Sequence, residues 1–133
     1  MILNPGTQPY RSYFSIPDVD TITVFEGSAD TWSTLTSLTC DVDTTFDQRA
    51  VLIHGVTDVA HMRQYIDQQI KLNIHYTYVT DRTFASGPWL DIATFWDDLV
   101  AYIAEKNAQL AIQSRAHCIF LPLFSARVLA AQG

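Results

Sequence analysis

The chain alternates short apolar runs with longer segments in which apolar residues recur at helical spacing. Four short runs that end in turn-forming or polar residues predict strands: "MILNPG", "TITVFEG", "RAVLIHG" and "IHYTYVTD". The segments after the last three runs predict helices, namely "SADTWSTLTSL", "TDVAHMRQYIDQQIKLN" and "DIATFWDDLVAYIAEKNAQLA". After the first run, "PYRSYFSI" predicts a short connector that is helical or irregular. The predicted order is therefore β-α-β-α-β-α-β-α.

The two longer predicted helices each carry one apolar stripe. Thr57 and Asp58 are candidate N-caps of the first of them. The stripes consist of Val59, Met62, Ile66 and Ile70 in the first helix, and of Phe95, Leu99, Tyr102 and Ile103 in the second. Each helix is therefore expected to pack one face against the sheet.

Strands that alternate with helices predict an α/β fold with a parallel sheet, because a helix supplies the crossover that parallel neighbours need. Four consecutive βα units are expected in residues 1–111, followed by an apolar C-terminal tail, 112–133, of unknown role. In such folds the loops at the carboxyl ends of the strands hold the ligands. The polar residues at those ends are therefore the candidates for a functional site.

Three polar side chains end the first three predicted strands: Asn4, Glu26 and His54. Because side chains two positions apart share a face of a strand, Glu26 is expected to follow Ile22 and Val24 in one inward row. Asn4 and His54 take the corresponding place in their own strands. The three side chains are therefore expected to converge at one rim of the sheet.

In the fourth predicted strand, the pattern is compatible with either face being the inward one. One parity holds Tyr76, Tyr78 and Thr80, and the other holds His75, Thr77, Val79 and Asp81.

Composition and charge narrow the classes of function. A chain of 133 residues with 48% hydrophobic content can build one domain with a real core. Its net charge of −6, with no basic block, argues against nucleic acid as a partner. The sequence contains no run of membrane-spanning length and no signal-peptide pattern at its N-terminus. Cys40 and Cys118 are too far apart for a zinc motif, and they form either one bridge or two unrelated thiols.

Short elements in order along residues 1 to about 107 resemble the C-terminal half of the spherulin-4-like (spherulation-specific) family. These elements are "NPG", "VFEG", "HG" and "YVTD…PW…FW". The resemblance implies a (β/α)8 barrel of the TIM type that hydrolyses glycosidic bonds in galactosamine-containing exopolysaccharide with α-1,4 linkages. It implies no cofactor and no metal. Family members are usually secreted or attached to the cell surface, whereas no leader is visible here, so no location is predicted.

The resemblance assigns the catalytic role to Glu26, which matches the glutamate that ends the sixth barrel strand of the family. The family also has an Asp-Glu pair at the end of its fourth strand, and nothing in this chain aligns with that pair. Glycoside hydrolysis normally uses two carboxyl groups, so the chain is expected to be incomplete as a catalyst alone. The alternative is a non-catalytic carbohydrate-binding module or a structural remnant of such a barrel.

A half barrel is expected to leave strand edges and its inner face open. A missing N-terminal half, a second copy of the chain, or the segment 112–133 would cover that face. The segment 112–133 is otherwise an association surface or the product of a truncated or misassembled reading frame.

Under the resemblance, Asn4, His54, Tyr78, Thr80, Asp81 and Trp89 are the candidate substrate-binding residues. Each side chain also has a structural alternative. Glu26 would cap the following helix, Asn4 would form the turn before Pro5, and His54 would only bond near its strand end. The aromatic rings of Tyr78 and Trp89 would stack on sugar faces or belong to the core, and Thr80 and Asp81 would bind substrate or form a turn.

Overall fold

The structure is a computed structural model, and the residues that it describes are 1–6, 9–35, 49–116 and 127–128. Five strands form one parallel sheet with neighbours in chain order. These strands are β1 (Ile2–Leu3), β2 (Thr21–Ser28), β3 (Arg49–His54), β4 (Tyr76–Val79) and β5 (Arg127–Val128). The α-helices are α1 (Ala29–Thr34), α2 (Val59–Lys71) and α3 (Trp96–Ala116), with 3-10 turns at Arg11–Ser15 and Phe84–Ser86. The predicted α/β alternation of four strands with helices is confirmed.

A fifth strand was not expected from the sequence. Arg127–Val128 pairs with β4 in parallel, although this segment belongs to the predicted tail. Helix α3 continues to Ala116, so it crosses the predicted boundary at position 111. The "CIFLPLF" stretch lies outside the described residues, and the division into 1–111 and 112–133 stays a prediction.

Side chains fix where the helices begin. The hydroxyl of Ser28 accepts a hydrogen bond from the Thr31 backbone N–H at 3.1 Å, and Asp58 caps α2 by accepting from the His61 N–H at 2.9 Å. The cap of α1 is therefore Ser28, and Glu26 does not take that role. Asp58 is one of the two predicted caps.

Helix α3 begins at Trp96, later than the predicted start at Asp91. The carboxylate of Asp91 accepts from the Ile92 N–H at 2.9 Å, and that of Asp81 accepts from the Thr94 N–H at 2.9 Å. Side chains of this kind compete with the helix for backbone donors. The residues before Trp96 are therefore held in a turn.

The main core lies on one face of the sheet, between β2–β4 and the helices. It is built by buried side chains from the strands and from the predicted helical stripes: Val24, Val51, Ile53, Val79, Met62, Ile66, Leu99 and Ile103. Helices α2 and α3 are also joined by Asp67, which accepts from the Tyr102 hydroxyl at 2.9 Å and pairs with Lys106 at 2.8 Å. The burial of the stripe residues in this core confirms that both stripes face the sheet.

The register of β2 shifts between Thr23 and Phe25, where β2 pairs with β3. Val24 lies in the core on the helix side, and Phe25 packs against that same core. Glu26 instead pairs with Leu52, and it is exposed on the opposite face. The prediction that Val24 and Glu26 share one row is therefore wrong, because the irregularity inserts one residue and reverses the parity that follows.

The ring of Phe25 explains why a glycine follows Glu26. This ring meets the Trp32 ring edge-on, with 5.1 Å between their centroids. At Gly27, an added Cβ would come within 2.9 Å of the tip of the Phe25 ring. The "FEG" sequence thus lets Phe25 fold over the backbone toward the helices while Glu26 points away from them.

The face opposite the helices is only partly open. By register, Thr23 and Ala50 lie on this face, and both are buried. Leu52 and Tyr76 on the same face are partly exposed, and Tyr78 is buried. The inner face is therefore partly covered at these positions, and the identity of the element that covers the rest of it stays a prediction.

Candidate functional site

Asn4 and Glu26 meet at the carboxyl ends of β1 and β2. The Asn4 side-chain amide donates a hydrogen bond from Nδ2 to the Oε2 of Glu26 at 2.6 Å. The Asn4 Oδ1 accepts from the backbone N–H of Gly6 at 3.1 Å, and Gly6 has a φ of 66°. Asn4 is therefore both the turn former that precedes Pro5 and the partner that orients one oxygen of Glu26.

His54 belongs to a different cluster at the same rim. By register it lies beside Ser28, at the end of β3. Its ring lies 6.4 Å from the Phe84 ring and 6.1 Å from the Trp89 ring, centroid to centroid. Within the described residues, no hydrogen bond joins His54 to Asn4 or Glu26. Of the three side chains expected to converge, the structure brings two into direct contact.

Four rings lie at the carboxyl ends of β3 and β4 and in the loop after β4, and we call them the aromatic wall: His54, Tyr78, Phe84 and Trp89. The Tyr78 and Trp89 rings are 5.8 Å apart, and Tyr78 also lies 6.2 Å from Trp96. The buried Tyr78 donates its hydroxyl to the Asp91 carbonyl at 3.2 Å, whereas Trp89 is partly exposed. Tyr78 is therefore the buried ring of the wall, and Trp89 offers accessible surface.

Thr80 is fully buried, and all its polar groups bond within the protein. Its backbone donates to the Ile53 carbonyl at 2.9 Å and accepts from the Val56 N–H at 3.0 Å. Its hydroxyl oxygen accepts from the Arg82 N–H at 3.1 Å. Thr80 thus joins the ends of β3 and β4, and its contact with substrate stays a prediction.

Asp81 fastens the loop after β4 to the start of α3. Its carboxylate accepts from the Thr94 N–H at 2.9 Å and from the Thr94 hydroxyl at 2.7 Å. Partial desolvation raises the pKa of Asp81, but the hydrogen bonds from Thr94, a hydrogen bond from its own backbone and the charge of Arg82 together outweigh it, so the net pKa lies below the ordinary aspartate value. Both oxygens are therefore engaged in the fold.

The loop between β4 and α3 is fixed at several further points. Arg82 forms an ion pair with Asp91 at 2.8 Å. The side chains of Thr83 and Ser86 form a capping box around the turn, with the Thr83 N–H donating to the Ser86 hydroxyl at 2.9 Å. Gly87 then ends the turn with a φ of 72°. These contacts hold the loop that carries Phe84 and Trp89.

Phe84 and Arg82 were missed by the sequence analysis. Phe84 lies in the turn segment "RTFASG". This segment has neither helical spacing nor strand alternation of apolar residues, so no pattern singled Phe84 out. The only available signal was an aromatic residue in a polar loop at a strand's carboxyl end. Among the described residues, no group of three histidine, cysteine or acidic side chains is placed to hold a metal ion.

The arrangement can bind a ligand that is polar at one side and apolar at the other. Glu26 offers a carboxylate with one oxygen oriented by Asn4, and the aromatic wall offers ring surface on neighbouring strands. From strand spacing, the Cα atoms of Glu26 and His54 are about 8 Å apart. A ligand would have to be about this long to reach both groups.

Comparison with protein-family models identifies the family of the chain. The model of the family Spherulin4, described as spherulation-specific family 4, matches residues 1–103. No match was found among curated proteins, nor among solved structures. In the part of the chain that is described, no helix is long and apolar enough to cross a membrane.

We predict that Asn4→Asp destabilises the protein in a salt-dependent way. An aspartate keeps the acceptor for the Gly6 N–H but places a second carboxylate beside Glu26. The free energy of unfolding at pH 7, measured by denaturant titration, should fall by roughly 0.5–1 kcal/mol and recover partly in 1 M salt. Asn4→Ala is the control, since it removes the hydrogen bond without adding charge. An equal salt response in both variants would contradict the assigned contact.

We also predict that Asp81 makes stability depend on pH. Because its pKa is lower in the folded than in the unfolded chain, its contribution is present above about pH 3.9 and is lost as pH falls through the folded pKa. Asp81→Asn should therefore lower the free energy of unfolding by roughly 1–2 kcal/mol at pH 7, and by progressively less at acidic pH. Thr94→Val keeps the backbone N–H bond and removes only the hydroxyl bond, so it should show a smaller loss with the same pH dependence. A pH-independent loss in either variant would refute the assignment.

Proposed function

The chain belongs to the spherulation-specific family 4, and from this premise we propose that it is half of a glycoside hydrolase-like barrel that acts on galactosamine-containing exopolysaccharide with α-1,4 linkages. Glu26 is one of its catalytic carboxyl groups. The observation that carries the proposal is the contact between Asn4 and Glu26 at the carboxyl end of the sheet. This is the place where barrel enzymes carry their catalytic residues.

The sheet supports the barrel part of the proposal. Its strands are parallel and follow one another in chain order. With right-handed crossovers, that order puts the connecting helices on one face and leaves the other face to line the inside of a barrel. Glu26 and His54 lie at the end of that second face, since they pair in register with Leu52 and Ser28.

The position of Glu26 suits the chemistry of glycoside hydrolysis. One carboxyl group must protonate the leaving oxygen, and another must attack the sugar or activate water. Glu26 is exposed, and among the described residues only Asn4 donates a side-chain hydrogen bond to it. The exposed side chain is thus accessible to a ligand from solvent. Asp81 is unsuited to be the partner, because both its oxygens accept hydrogen bonds from Thr94.

The second carboxyl group is expected from a complementary half barrel, in line with the Asp-Glu pair that the family resemblance implies. A second copy of the chain would supply another Glu26 by symmetry. Native mass spectrometry distinguishes these routes, because only the second requires a homodimer of this chain alone.

The aromatic wall supports a carbohydrate as the ligand. A pyranose ring has a face of C–H groups that packs on an aromatic ring, and its hydroxyl groups bond to polar side chains at its edge. Trp89 is partly exposed beside the His54 ring, and its ring also lies next to the buried ring of Tyr78. Amino groups on the sugar would suit an acidic protein with a net charge of −6.

Glu26→Gln tests the catalytic assignment directly. The protein is combined with the N-terminal half of a family member, and the release of reducing ends from α-1,4-linked galactosamine oligosaccharide is measured. Wild-type protein should restore cleavage, and Glu26→Gln should reduce it by at least about 100-fold, because a neutral amide neither donates the proton nor attacks. Binding of the oligosaccharide, measured by calorimetry, should be retained.

Glu105→Gln is the matched control, because Glu105 is the only other glutamate of the chain and lies exposed on α3. It should leave cleavage unchanged. Full activity of Glu26→Gln in the reconstituted protein would refute the catalytic role. Binding without any cleavage by wild-type protein would indicate the non-catalytic carbohydrate module, and absence of binding would refute both.

A further inference from the structure

Phe84 stands out among the exposed apolar residues of the chain. Its side chain is 83% exposed, although it lies in a loop whose backbone is fixed by hydrogen bonds. The capping box of Thr83 and Ser86 holds the turn on both sides of the ring. Because hydrogen bonds already hold the backbone of this turn, ligand binding does not have to pay for ordering the loop itself.

The neighbours of Phe84 connect it to the candidate site. Its ring lies 6.4 Å from the His54 ring, at an angle of 45°. The second aromatic neighbour of His54 is Trp89, whose ring is 6.1 Å from the His54 ring and nearly perpendicular to it. His54 is thus a neighbour of both Phe84 and Trp89, and it joins Phe84 to the rest of the aromatic wall.

We propose that Phe84 is a second sugar-stacking position, which binds a pyranose ring of the polymer next to the ring held at Trp89. The inference rests on the proposed function, because it takes the same amino-sugar polymer as the ligand. Because the His54 ring is a neighbour of both stacking positions, its nitrogens are candidates to bond to sugar hydroxyl groups. A ligand of several rings would then use Phe84, whereas a single sugar would not need it.

Another exposed apolar residue in the same loop provides a comparison. Leu90 is 86% exposed and packs over Gly87, where an added Cβ would meet it at 2.5 Å. Leu90 is aliphatic, so it offers no aromatic face on which a pyranose ring could stack. If exposed apolar area alone bound the polymer, Leu90 and Phe84 would contribute alike.

The test measures the affinity for galactosamine and for α-1,4-linked oligosaccharides of two to six rings by calorimetry. Phe84→Ala should weaken binding of the longer oligosaccharides about three- to tenfold and leave that of the single sugar unchanged. Phe84→Tyr should restore affinity because it keeps the ring face, whereas Phe84→Leu should not. Leu90→Ala should match wild type. Since Phe84 is exposed, all variants should fold, which their denaturation midpoints verify.

The outcomes separate this inference from the proposed function. If wild-type protein binds no oligosaccharide, the proposed function fails and the inference fails with it. If wild type binds but Phe84→Ala binds longer oligosaccharides equally well, only the inference is refuted. An equal loss in Leu90→Ala, or a loss of self-association in Phe84→Ala seen by native mass spectrometry, would indicate a protein contact at this loop and would also overturn it.

Discussion

The candidate site depends on the register shift in β2. In a regular strand, Glu26 would share a face with Val24 and would point into the core between sheet and helices, where an ionised carboxylate is costly to bury. Because of the shift between Thr23 and Phe25, the side chains of Val24 and Phe25 both pack on the helix side of the sheet. Glu26 is thereby turned to the other face, and the apolar core keeps both side chains.

The surrounding contacts preserve this arrangement. The Phe25 ring lies over Gly27 and against Trp32, so the strand is held immediately after Glu26. Asn4, on the neighbouring strand end, then orients the carboxylate. Irregularities of this kind commonly occur next to functional sites because they redirect one side chain without changing the rest of the sheet.

Part of this fold could be predicted from the sequence, and the reasons for success and failure are physical. The apolar stripe of α3 predicted its buried face correctly, since Leu99 is fully buried. The polar residues at the strand ends predicted the position of the rim, because the carboxyl ends of parallel strands all lie at one edge of the sheet. The shift in β2 could not be predicted, because "TITVFEG" alternates as a regular strand would and only pairing with β3 shows the inserted residue. The start of α3 was predicted too early in the chain. The carboxylates of Asp81 and Asp91 accept hydrogen bonds from backbone N–H groups of the residues before Trp96, and the sequence pattern does not reveal these bonds.

The most direct test of the account is a crystal structure of the protein with a bound α-1,4-linked galactosamine tetrasaccharide. We expect the register of β2 to shift between Thr23 and Phe25, with a sugar ring packed on the aromatic wall and a sugar oxygen within hydrogen-bonding distance of Glu26. A regular β2 with Val24 and Glu26 on the same face would contradict the account. So would a tetrasaccharide bound away from the carboxyl ends of the strands.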